Sequence, residues 1–131
     1  MASQEQKERV LFYDRMKAHG AYGKKLFRSQ RDFEVVFPGT PAIEAKFDYL
    51  MSENISTVVF FVYSKEGLYE LLPFLHKGVH IILCTSNAEI SWLQNSYPEI
   101  IMLDIDVPKR ELFSRIEAEI SRIQRRNLKY A

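Results

Sequence analysis

The sequence predicts an α/β fold: a three-layer, doubly wound, five-stranded parallel sheet of order 2-1-3-4-5, forming a single domain over residues 1–131 with its core at about 9–126. Two observations predict it. Five short runs of β-branched and aromatic residues alternate with stretches of helical periodicity, the pattern of successive βα units. The third of these runs, Val58-Val59-Phe60-Phe61-Val62, lacks polar alternation, as a strand covered on both faces does. Right-handed crossovers between parallel strands then leave few arrangements to consider.

The elements follow in chain order. The first strand is Val10-Leu11-Phe12-Tyr13, ending at Asp14, and Met16 to Ser29 reads as a helix that Gly20 and Gly23 weaken. The second strand, Phe33 to Phe37, is closed by Pro38-Gly39. Thr40 caps a helix with Pro41 at its first position and Ile43, Phe47, Leu50 and Met51 along one face. The third strand, Thr57 to Tyr63, leads to Ser64 as an N-cap and to a helix with Leu68, Leu71, Leu72 and Leu75. Pro73 kinks or breaks that helix, and Gly78 caps its end. The fourth strand is His80 to Cys84; Ser86 and Glu89 have capping-box spacing before a short helix holding Ile90 and Leu93. The fifth strand, Ile100 to Leu103, ends at Asp104, and the last helix follows Pro108 with Leu112, Ile116, Ile120 and Ile123 on one face.

Composition excludes several classes. The 47% hydrophobic and 27% charged residues are those of an ordinary globular protein, and 18 basic against 17 acidic residues give a formal charge of +1. A nucleic-acid binder carries a basic excess, so no nucleic-acid partner is expected. No apolar run reaches the roughly 20 residues of a membrane span, and Met1 to Arg9 is too polar for a signal peptide. The expectation is a cytoplasmic protein without a membrane partner. Cys84 is the single cysteine, so neither an internal disulfide nor a cysteine-based zinc site can form, and a thiol late in a central strand reads as buried and inert. His19, His76 and His80 show no ligand spacing, and neither a metal nor another cofactor is expected.

In a sheet of this order the ligand crevice lies at the carboxyl ends of strands 1 and 3. That edge comprises Asp14, Arg15, Pro38, Tyr63, Ser64, Thr85, Ser86, Asp104 and Asp106. The acidic residues with Arg15 form a charged pocket, or are polar because strand ends meet water. Tyr63 and Ser64 are anion or modification sites, or Ser64 is simply an N-cap. The basic residues Arg122, Arg125, Arg126 and Lys129 suit a solvated helix end, where the dipole favours cations.

In the order and spacing of its elements, from Arg9 to about Arg126, the sequence resembles the receiver domain of bacterial response regulators, a flavodoxin-like fold. Arg9-Val10-Leu11-Phe12-Tyr13-Asp14 looks like that family's first strand, which ends in paired acidic residues that hold magnesium. Ile81-Ile82-Leu83-Cys84-Thr85-Ser86 looks like its fourth strand, ending in a switch threonine or serine, and Pro108 to Ile120 looks like its last helix. The resemblance also exposes departures. Arg15 stands at the second acidic position; Val62, Tyr63 or Ser64 stands where the phospho-accepting aspartate ends strand 3; Asp104 replaces the lysine after strand 5. Phosphoryl transfer needs the nucleophile, the metal and the cation together. The resemblance therefore implies a degenerate pseudo-receiver, with Arg15 supplying the missing positive charge by pairing with Asp14 or Asp104.

Two functions from different classes follow. One is a non-enzymatic signalling or protein-interaction module. Its protein partner is unnamed by the sequence, and a homodimer would use the face of the fourth helix, strand 5 and the last helix, which the resemblance marks as a contact surface. Trp92 and Tyr97 lie there, as a docking patch or as core cover. The other is a flavodoxin-like domain binding a small molecule or nucleotide in the crevice of strands 1 and 3, although no glycine-rich phosphate loop is present.

Overall fold

The computed structural model describes residues 8–14, 20–27, 33–36, 55–64, 67–75, 78–86 and 92–129. The strands are β1 (Glu8–Asp14), β2 (Phe33–Val36), β3 (Ile55–Val62), β4 (His80–Thr85) and β5 (Ile101–Leu103). They form one sheet in the order β2-β1-β3-β4-β5, and each neighbouring pair is parallel. The described helices are α1 (Gly20–Phe27), α2 (Leu68–Leu71), α3 (Trp92–Ser96) and α4 (Lys109–Lys129). The expected helix after strand 2, with Thr40 and Pro41 at its start, lies outside the described residues.

Strand periodicity sorts the core into two layers. Successive side chains point to opposite faces. Val10 and Phe12, Val59 and Phe61, and Ile82 and Cys84 join Phe27 of α1 and Leu112, Phe113, Ile116, Ile120 and Ile123 of α4 in one cluster. Their neighbours Leu11 and Tyr13, Val58, Phe60 and Val62, and Ile81 and Leu83 pack on the other side against Leu71, Phe74 and Leu93. Both faces of β3 are thus covered, and Val58 to Val62 are all at most 2% exposed. Burying side chains of this size contributes roughly 1.5–3 kcal/mol each.

Local differences from the sequence reading have identifiable causes. β3 starts at Ile55 rather than Thr57 because Arg9 pairs with Ile55 and Val10 with Thr57, leaving Ser56 as the extra residue of a bulge. The residue that immediately precedes α2 is Gly67 rather than Ser64. The Ser64 carbonyl accepts the N–H of Gly67 at 3.1 Å, and Gly67 precedes α2 with no side-chain cap. Pro73 ends the α-helix as expected: a 3₁₀ turn, Leu72–Phe74, follows α2 directly. Proline has no N–H to continue the ladder, and the chain tightens until Leu75 N–H bonds to Leu72 carbonyl at 3.2 Å. Gly78 then takes φ of +75°, where a side chain would be strained. The Ser86–Glu89 capping box and Ile90 fall outside the described residues, and α3 covers Trp92–Ser96 with Leu93 buried. α4 opens where Leu112 N–H meets the Pro108 carbonyl at 3.0 Å.

Candidate functional site

Parallel registers bring the carboxyl ends of β1, β3 and β4 level with one another. Asp14 lies opposite Phe61, Phe61 opposite Cys84, and Cys84 opposite Leu103. By the period of two, Asp14 shares the face of Val10 and Phe12, the face covered by α1 and α4. It is nonetheless a carboxylate, 9% exposed. Burial without hydrogen bonds would be costly for such a group.

One partner comes from the residue that follows β3. Tyr63 lies two residues beyond Phe61, so it follows Phe61 on the same side, and its ring packs on the same cluster. Its hydroxyl donates to Asp14 Oδ1 at 2.8 Å. Hydrogen bonds to an ionised acceptor are shorter and stronger than neutral ones. Burial pushes the Tyr63 phenol well above its ordinary range, and the bond to Asp14, the Asp14 charge and Cys84 add to the rise. Burial likewise drives the Cys84 thiol far up, with the Asp14 charge adding to it. A thiol so placed is an inert, fully buried side chain, as its position in β4 leads one to expect.

The other expected residues separate. Thr85 is buried one step past Cys84, level with Val62. Ser64 is exposed beside Tyr63. Asp104 is exposed, and its Oδ1 accepts the backbone N–H of Asp106 at 2.8 Å, a local turn after β5. Leu103 stands three strand spacings from Asp14 in the register, about 14 Å at the usual interval. Asp104 therefore follows a strand three places along the sheet from the one that Asp14 ends. Arg15 lies outside the described residues. On the far face, Trp92 is 53% exposed, whereas Tyr97 packs partly buried against the core cluster of Leu93 and Ile100.

The Asp14–Tyr63 bond joins residues 49 apart. Sequence reasoning named both residues but not their contact. The signal for it was the alternation that puts Phe61 and Tyr63 on one face, combined with a register only the folded sheet reveals.

No family model matches the chain, and no curated protein matches it. Among solved structures it is similar to the crystal structure of a CheY-like response regulator receiver domain protein from Methanospirillum hungatei JF-1. The TM-score is 0.67 and the identity 17%, over 92% of this chain and 99% of that one. The fold is receiver-like. At this identity the likeness concerns the fold alone. In a receiver-like sheet the carboxyl ends of β1 and β3 flank the crevice, which is where the Asp14–Tyr63 bond lies.

Proposed function

We propose that the chain is a non-catalytic pseudo-receiver: a signalling or protein-interaction module that is not phosphorylated at the end of β3. One observation carries this reading. The crevice carboxylate, Asp14, is bonded by the hydroxyl of Tyr63, one of the three residues, Val62, Tyr63 and Ser64, among which the resemblance requires a phospho-accepting aspartate.

The magnesium ion that the resemblance implies does not fit the residues present. Such an ion takes about six oxygen ligands and draws its charge balance from carboxylates. Of the paired acids on strand 1 the chain has Asp14 followed by Arg15, and the end of β3 reads Val62-Tyr63-Ser64. The one carboxylate of the set already accepts a proton donor from within the protein. No reaction is assigned to this crevice. The module acts by contact with a protein in the cytoplasm, including a second copy of itself, through α3, β5 and α4, where Trp92 is half exposed.

Beryllofluoride with magnesium, followed by NMR, tests the reading, because it mimics the phosphoryl group on a receiver aspartate. No saturable, magnesium-dependent shifts are expected around Asp14, Tyr63 and Thr85. Such shifts would overturn the reading.

A further inference from the structure

We infer that the exposed side of the C-terminal half of α4, carrying Arg122, Arg125 and Arg126, is a docking surface for an acidic segment of a partner protein. The inference rests on the protein-interaction reading and gives the partner a chemistry. Charge is uneven along α4. Lys109, Arg110 and Arg115 in its first half are matched by Glu111, Glu117 and Glu119, whereas no acidic residue follows Glu119 and four basic ones do. Arg125 and Arg126 lie three and four residues beyond Arg122, so the three share one side of the helix. All three are exposed, while Leu112, Ile116, Ile120 and Ile123 take the side turned to the core. Arg122 is paired with Glu119, but no acidic group among the described residues meets Arg125 or Arg126.

The helix end alone does not account for this. The macrodipole favours cations within the last turn. As α4 runs to Lys129, Arg122 and Arg125 stand before that turn. Guanidinium groups hold carboxylates with two parallel donors, and carboxylates three or four residues apart on a facing helix repeat the spacing of the three arginines. A membrane surface fits less well. An interfacial helix lays an apolar face in the lipid, and here Ile120 and Ile123 are 1% and 2% exposed. A nucleic acid selects a broadly basic domain, and the formal charge of this chain is +1. The basic half also continues, along α4, the surface proposed for protein contact.

NMR titration of the intact chain tests this, with an alanine-based peptide bearing glutamates three and four residues apart and with its glutamine counterpart. The glutamate peptide is expected to give saturable shifts confined to the amides from Glu119 to Lys129, fading as salt rises. The glutamine peptide should give none. Arg125→Gln with Arg126→Gln alters only exposed side chains and should weaken binding about five- to tenfold. Arg115 stands seven residues before Arg122, about 10 Å along the axis and a Debye length away, so Arg115→Gln should change binding less than about twofold. Scattered shifts, no shifts, or a double variant that binds as tightly as the intact chain would overturn the inference. Tighter binding of a DNA duplex of matched charge, binding of phosphatidylserine vesicles, or peptide-free self-association that the double variant loses would each assign the surface to another occupant and overturn it too. None of these outcomes bears on the beryllofluoride result, so the two readings fail separately.

Discussion

Phe113 of α4 stacks on Phe12 of β1, with ring centroids 5.7 Å apart and planes 19° apart. The same ring meets Tyr22 and Phe27 of α1 at 4.9 and 6.1 Å and Phe61 of β3 at 6.4 Å. One side chain thus joins the two described helices of this layer to β1 and β3. Phe113→Ala removes a fully buried ring from a site bounded on several sides, and the cavity can close only in part. A loss of about 3–5 kcal/mol is expected. Urea unfolding checks it; a loss below about 1 kcal/mol would mean that the layer repacks.

Asp14 and Tyr63 are coupled across the sheet. Asp14→Asn and Tyr63→Phe should each destabilise by about 1–3 kcal/mol, since each alters a charge-assisted, part-buried bond. Together they should cost clearly less than the sum. A double-mutant cycle measures the difference, and strict additivity would show that the contact contributes nothing of its own.

Stability should fall in alkali in two stages. The folded state holds the Cys84 proton far above its ordinary 9.0, so between that pH and the raised value the unfolded chain has released a proton that the folded chain keeps. The stabilisation is whole below about pH 9 and is lost as pH rises, at a slope of about 1.4 kcal/mol per unit. Tyr63 adds a second loss above its ordinary 10.0 with the same sign, smaller because the phenol is only half buried and solvent screens it. Urea midpoints from pH 7 to 11 give the profile. Cys84→Val should remove the first stage and Tyr63→Phe should flatten the second.

The exposed face of α4 carries Arg115 bonded to Glu111 at 2.6 Å and Arg122 paired with Glu119. Solvent and salt screen such pairs. Arg115→Ala and Arg122→Ala should each shift stability by less than about 1 kcal/mol, and high salt should erase that shift. Urea melts at low and high sodium chloride check both.

The α/β character and the parallel sheet were legible because burial on both faces leaves an unmistakable run at Val58 to Val62, and because Asp14 ends its strand where apolar alternation stops. The last helix was legible from Leu112, Ile116, Ile120 and Ile123, all buried. Local start signals were less informative. Ser64 had the chemistry of a cap, yet a turn through Gly67 sets the start of α2. The bulge at Ser56 was invisible because it arises from pairing with Arg9 and Val10, not from its own neighbours. The site was half legible for the same reason. Asp14, Tyr63 and Thr85 were placed at one edge by strand order, but a bond between residues 49 apart depends on register, which no local pattern encodes.

The sheet ends on one side in β5, a strand of three residues beside the six of β4. Little unsatisfied backbone is therefore offered at that margin, and a foreign strand finds a template too short to zip onto. Fibril seeding through the β5 edge is disfavoured, so that copies meeting there at high concentration are left to associate through side chains.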